Sequence, residues 1–394
     1  MRSKYFYWRK PIGIIHLWLG MASGLVVVIL GITGCLYCFI DEIRPIVYQD
    51  RIFIPANEQT HRVPLQRLRE KADAALLKKV PLLDIEIHTD NIHTTVFRYR
   101  ERNNKANSYV NYFINYYRVY MNPYTGKVIK VENTKWEFFN LVVMLHCCLL
   151  LGHLGTQIIT WCTIIFMVML VSGIYLWWPR NKVSSVKRFQ FKWNKTTSWK
   201  RKNYDLHQIL GFYVFIIAFF IALTGLAMLL PTLDKGIKYL VSGGKIREVE
   251  SGIHDHHMMG TNYSGPNPKG IMDHVLNQAI NDSPGISKFS LSLPKSASDP
   301  IKVQSYQEQS RHHADRIFSF NANTGALTKN QSFVALAPAD QLYELYYDVH
   351  VGALLSFPGK ILAFLVSLIT ASLPVSGFLI WKNRGKKTLI NPAN

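Results

Sequence analysis

The sequence predicts an α-helical membrane protein with four transmembrane helices and both termini cytoplasmic, built as two parallel repeats of span, outward α+β module and span. Three observations predict it. The 394 residues are 48% apolar but only 18% charged, below the quarter usual for soluble domains. Four runs are uncharged or nearly so and exceed the roughly 20 helical residues that cross a hydrocarbon core. The basic residues behind a formal charge of +20 are gathered into three short segments.

Residues 1–40 form a basic N-terminus and the first span, free of Asp, Glu, Lys and Arg from Ile12 to Ile40. Its Ile32-Thr33-Gly34-Cys35 loosely resembles a lipoprotein cleavage box, but the apolar stretch is too long for a signal-peptide core. Residues 41–137 are the first outward module. Phe138 to Trp178 is too long for one crossing, so 138–178 is divided into an interfacial helix and a second span from about Gly155. Residues 179–205 form a basic loop, 206–233 the third span and 234–346 the second outward module. Residues 347–381 repeat the interfacial segment and span, with Lys360 expected to send its ammonium to the headgroups. Residues 382–394 are a tail.

Residues 1–12, 179–205 and 382–394 hold 17 Lys and Arg against the single acid Asp205, which is +16 of the +20. All three fall on one side of a four-span chain, which the positive-inside rule makes the cytoplasm. The charge is therefore a topology signal and excludes a nucleic-acid partner; the expected contact is membrane lipid. The nine basic residues of the inner loop can also dock an acidic redox partner. Trp177, Trp178 and Trp381 are expected as interfacial anchors beside Arg180 and Arg384. The five cysteines all fall in membrane or interfacial segments, so no disulfide framework is expected. Cys35 and Cys38 read either as a redox pair or as small packed residues.

An internal repeat organises the rest. His16, Gly20 and Thr33-Gly34 recur as His207, Gly211 and Thr224-Gly225 at a constant offset of 191. His146, Gly155, Ser172-Gly173, Trp177 and Arg180 recur as His350, Gly359, Ser376-Gly377, Trp381 and Arg384 at a constant offset of 204. Between them, Asn122-Pro-Tyr-Thr-Gly126 and Asn321-Ala-Asn-Thr-Gly325 read as hairpin turns with glycine in the left-handed position. Both halves share one orientation, implying a pseudo-two-fold axis along the membrane normal.

An ionisable residue in a membrane run is a functional candidate, and four histidines occupy equivalent positions. His16 and His207 follow a cytoplasmic entrance, and His146 and His350 precede an outer one. The two levels are about 30 Å apart, so the expected pairs are His16 with His207 and His146 with His350. Facing neutral imidazoles are the axial ligation of a b-type haem, and the alternative is hydrogen bonding across helices. Gly20 and Gly34 on the first span, with Gly211 and Gly225 on the third, lie on the histidine faces; they give room for a flat macrocycle, as they would for plain helix packing. His153, seven residues beyond His146, falls on the same face of a continuous helix and competes as outer ligand. His254, His256 and His257 form a second candidate metal cluster in an outward loop, as against a merely polar one.

Leu145-His146, Leu149-Leu150-Leu151-Gly152 and Ser172-Gly-Ile-Tyr-Leu-Trp-Trp-Pro-Arg180, with the two hairpin turns, resemble the PepSY-associated transmembrane family. Within it, the sequence is similar to iron-regulated inner-membrane ferrisiderophore reductases of the FoxB type. The resemblance implies periplasmic PepSY modules in a bacterial inner-membrane protein, bound haem b, and electron transfer outward to a ferric siderophore or other ferric chelate; the two symmetric histidine pairs set the expectation of two haems per chain with bis-His ligation. No Gly-rich dinucleotide motif follows a strand, so no flavin or NAD domain is expected in this chain. The electron donor is then another molecule, a quinol or a cytosolic reductase. A non-redox PepSY protein that binds or regulates a periplasmic partner, or a transport-associated subunit, is the alternative.

Overall fold

The computed structural model describes residues 2–55, 61–179, 189–244, 270–294, 296, 298–307 and 311–383. The helices are α1 (Arg2–Cys38), α2 (Ile40–Val47), α3 (Gln49–Ile52), α4 (Leu65–Ala74), α5 (Tyr109–Tyr112), α6 (Phe138–Cys148), α7 (Gly152–Trp177), α8 (Trp199–Leu229), α9 (Pro231–Val241), α10 (Met272–Asn281), α11 (Pro338–Val351) and α12 (Ser356–Lys382). The strands are β1 (Leu82–His88), β2 (Thr95–Arg102), β3 (Phe113–Met121), β4 (Val128–Asn133), β5 (Lys288–Ser292), β6 (Ile301–Tyr306), β7 (Arg316–Phe320) and β8 (Leu327–Ser332).

Among the described residues four helices are long and apolar enough to cross a membrane: Trp8–Cys38 of α1, α7, α8 and the segment Ala353–Lys382 that holds α12. Two repeat-related threonine hydroxyls are satisfied within their own helices, as lipid requires. Thr33 Oγ1 donates to the Ile29 carbonyl (2.7 Å) and Thr224 Oγ1 to that of Phe220 (2.9 Å). α1 packs on α7 and α12, and α8 packs on the same two, so α1 and α8 stand diagonally across the bundle.

α6 ends at Leu149, which adopts a left-handed backbone with φ 49°, followed by Leu150 at φ 58°. The chain then reverses so closely that a Cβ on Gly155 would lie 1.7 Å from the Cys148 carbonyl oxygen. The second half repeats the device, because a Cβ on Gly359 would lie 2.2 Å from the Gly352 oxygen. Glycine is obligatory at both positions, which accounts for their repeat match.

The eight strands form one antiparallel sheet in the order β4-β3-β2-β1-β5-β6-β7-β8. The two segments between the spans are therefore not separate sheets; they join through β1 and β5, with Ile85 opposite Leu291 and Ile87 opposite Phe289. α4 and α10 cover one face over a core that includes Leu68, Ile85, Phe97, Val275, Phe289 and Phe318. Asp273 of α10 caps α4 across the seam, accepting from the Leu65 (2.6 Å) and Gln66 (3.3 Å) amides. Both hairpin turns have the expected form. Asn122 Oδ1 accepts from the Tyr124 and Thr125 amides and Asn321 Oδ1 from those of Asn323 and Thr324; Gly126 and Gly325 take φ +66° and +70°.

Two side-chain expectations are corrected. Lys360 is fully buried, and its ammonium pairs with Asp41 (2.9 Å) and Glu42 (3.0 Å) instead of reaching headgroups. Trp177 is buried and stacked on Phe212 at 4.0 Å, because the helix exit turns it inward; Trp178 remains exposed. Arg180 and Arg384 lie outside the described residues.

Candidate functional site

The repeat-related histidines face each other in two pairs, one carried by the diagonal helices α1 and α8 and one by α6 and α11. At the bundle end away from the sheet, the His16 and His207 ring centres are 6.5 Å apart with planes at 90°. At the sheet end, α6 and α11 lay His146 and His350 against α1 and α8, 6.0 Å apart with planes at 73°. An ion bound by facing imidazole nitrogens at about 2.0 Å each holds the ring centres roughly 6 Å apart, so both gaps are the right size. Thr33, which contacts His146, lies 17 residues beyond His16, which separates the levels by about 26 Å along the helix.

Each imidazole is held by a hydroxyl on a neighbouring helix. His16 Nδ1 lies 2.9 Å from Ser172 Oγ, His207 Nδ1 2.9 Å from Ser376 Oγ, His146 Nδ1 2.9 Å from Thr33 Oγ1, and His350 Nδ1 3.3 Å from Thr224 Oγ1 and 2.9 Å from the Ile221 carbonyl. The four hydroxyl protons go to helix carbonyls of Met169, Leu373, Ile29 and Phe220. The hydroxyls therefore accept, and every histidine donates from Nδ1. That tautomer leaves the Nε2 lone pair bare, which is the metal-binding form, with the second ring nitrogen held as ligating histidines hold theirs.

The glycine after each hydroxyl makes room for the ring. A Cβ on Gly173 would sit 3.3 Å from His16 Cε1, on Gly377 3.3 Å from His207 Cε1, on Gly34 3.6 Å from His146 Cε1, and on Gly225 2.9 Å from His350 Cε1. Ser172-Gly173, Ser376-Gly377, Thr33-Gly34 and Thr224-Gly225 are thus four copies of one device. The repeat offsets pointed to these dipeptides, but the orienting role of the hydroxyls was missed, because it depends on which helices become neighbours.

Each pair faces a cavity. The one at the far end has a volume of about 660 Å³; Gly20, Gly24, Gly211 and Phe212 line it, with Arg9 and Lys10 among its walls. The sheet-end cavity is smaller, about 210 Å³, and is lined by Gly34, Gly225, Tyr37 and Tyr347. Val27 and Phe166 line both cavities. At the far end Arg9 and Lys10 suit a ligand bearing carboxylates, and glycines on the walls of both cavities suit a flat one. The donor set, tautomers, spacing and cradles fit a b-type haem at each level.

His153 is not part of either arrangement. It is exposed near the start of α7 and lines neither cavity. The same-face expectation required a continuous helix, and the left-handed turn at Leu149 and Leu150 breaks it. His254, His256 and His257 lie outside the described residues. Above the sheet-end pair is an ionic network: His312 Nε2 lies 3.2 Å from Asp41 and His313 pairs with Asp348. Burial alone would raise the Asp41 carboxyl, but His312 and Lys360 hold it below the usual carboxylate range.

A helical bundle of four apolar spans, bearing one sheet and two internal histidine pairs, defines a polytopic membrane protein. The chain belongs to the family described as the PepSY-associated TM region, whose model matches residues 14–384. No curated protein matches it.

Proposed function

We propose that this chain is a haem-containing inner-membrane reductase of the ferrisiderophore reductase (FoxB) type, passing electrons outward to a periplasmic ferric siderophore so that ferrous iron is released. The observation that carries the reading is the fixed tautomer of four paired histidines, with each Nδ1 engaged and ring centres 6.0 to 6.5 Å apart. Two b-type haems, when bound, supply one-electron carriers at two depths of the membrane.

The residues of the chain do the rest. His16 and His207 would hold one group, and His146 and His350 the other. Ser172, Ser376, Thr33 and Thr224 keep each Nε2 aimed into its slot, and the apolar walls exclude water. Arg9 and Lys10 at the far-end cavity offer counter-charges to carboxylates and belong to the basic, cytoplasmic side of the chain. A quinol or a cytosolic reductase donates electrons there, and the sheet end faces the periplasm. Reduction frees iron because hard siderophore oxygens hold the ferric ion far more tightly than the softer ferrous one.

The test is to reconstitute the full chain in liposomes, reduce it chemically, remove the reductant and mix it with a ferric hydroxamate chelate and an external ferrous trap. The expected result is rapid reoxidation of the protein with matching ferrous capture, slowed by His207→Ala. Protein that stays reduced in the presence of the chelate overturns the substrate assignment.

A further inference from the structure

Among the described residues, one group of three side chains gathers metal-donor atoms closely: those of His88, Asp90 and His93 all lie within 4.8 Å of one another. They lie where β1 turns into β2, outside the four spans. His88 closes β1 and is only 7% exposed. Its ring stacks on that of His93, with centres 4.3 Å apart and planes at 17°. Asp90 shapes the turn, with Oδ1 accepting from the Ile92 (3.1 Å) and His93 (3.0 Å) amides. Its Oδ2 lies 2.7 Å from His93 Nδ1, and Arg62 steadies the turn by donating to the Asp90 carbonyl (2.7 Å) rather than to its carboxylate.

An independent observation points to a ligand. His88 Nδ1 is buried with no hydrogen-bond partner, although buried polar atoms are almost always paired. The other nitrogen, Nε2, faces Glu86 Oε1 at 3.3 Å, which places the proton on Nε2 and leaves Nδ1 as a bare lone pair. His93 is in the complementary state, donating from Nδ1 to Asp90. A structural turn accounts for the Asp90 and His93 contacts but not for the buried lone pair on His88.

We propose that His88, Asp90 and His93 bind a divalent transition-metal ion of the borderline class, Fe(II), Co(II) or Zn(II). Two imidazoles and one carboxylate are a donor set for such ions, with water completing the coordination. Bonds of about 2.1 Å allow donors no more than about 4.2 Å apart, so loading draws the cluster together by several tenths of an ångström. The exposed Asn91 and Ile92 leave the turn free to do this. The site is independent of any group in the bundle and holds whether or not haem is bound there.

The experiment uses the full chain in detergent, purified without a histidine tag, stripped with a chelator and dialysed against micromolar Zn(II), with bound metal measured by mass spectrometry. Wild type is expected to bind about one ion that His93→Phe, which keeps the ring stack, and Asp90→Asn, which keeps an acceptor for the turn, do not; the loss of a ligand lowers affinity at least about tenfold. Zn(II) should raise the melting temperature of wild type but of neither variant, and the visible spectrum should be the same in all three. Wild type that binds no Zn(II), or binding and melting shift that survive in both variants, overturns the proposal. Binding lost instead on replacing His254, His256 and His257 by Gln overturns it too, since the ion would then sit in that segment.

Discussion

A methyl group added at Gly225 would come within 2.9 Å of His350 Cε1, whereas one added at Gly34 would stand 3.6 Å from His146 Cε1. The first distance is a clash with a ring that two hydrogen bonds hold in place, and the second is ordinary contact. Gly225→Ala is therefore expected to displace His350 and cost the sheet-end haem while sparing the other, and Gly34→Ala to keep both. Haem content by pyridine haemochrome separates the two. Glu344 is a second case of one residue set by its surroundings. Burial, with repulsion from Asp340 and Asp348 and against the pull of Lys238, lifts its carboxyl to about 8. A raised carboxyl favours the folded state fully below the unfolded value near 4.3 and loses that contribution as the pH rises through the folded one. Glu344→Gln should therefore raise the melting temperature at about pH 9 and leave it unchanged near pH 4, as a pH series of thermal melts would record.

Among the elements, α2 is tied to α12 by one buried cation. Removing Lys360 leaves Asp41 and Glu42 facing each other without the ammonium that pairs with both. Breaking a buried pair costs 3 to 5 kcal/mol when both partners are buried, and these carboxylates keep about a third of their exposure, so Lys360→Met is expected to cost about 2 kcal/mol. Adding Asp41→Asn and Glu42→Gln should recover most of it in chemical or thermal unfolding in detergent. The Asp41 carboxyl is depressed in the fold, so its contribution is present above about pH 4 and lost as the pH falls below that toward the folded value. The same element explains a limit of sequence reading. The apolar pattern announces the spans and the stretches that lead into α7 and α12, but a lysine near a membrane entrance reads as a snorkelling residue. Only the approach of α2 to α12 in the fold reveals its partners. In the same way a helix from His146 to His153 is consistent with composition, and it is broken by two leucines whose left-handed backbone has no signature in their identity.

For the molecule as a whole, the constant offsets of 191 and 204 made the histidine pairs legible, because equivalent positions of two parallel repeats fall at the same level of the bundle. Gly126 and Gly325 likewise announced their turns. The seam between β1 and β5 was not legible, since the choice of edge partner leaves no local pattern beyond alternation that either edge could satisfy. That seam joins the segments between the spans into one continuous sheet. The His88, Asp90 and His93 cluster was overlooked for a related reason: three polar residues on a hairpin turn look like a solvated loop until the stack and the buried nitrogen are seen.

The central claim is that four histidines hold two haems at two depths, and haem stoichiometry tests it most directly. Protein purified in detergent from haem-replete cells should give a low-spin bis-His spectrum and about two haems per chain by pyridine haemochrome. His16→Ala or His207→Ala should remove one, and His146→Ala or His350→Ala the other. Colourless wild-type protein, or full haem content in the His16→Ala/His207→Ala double variant, would contradict the account.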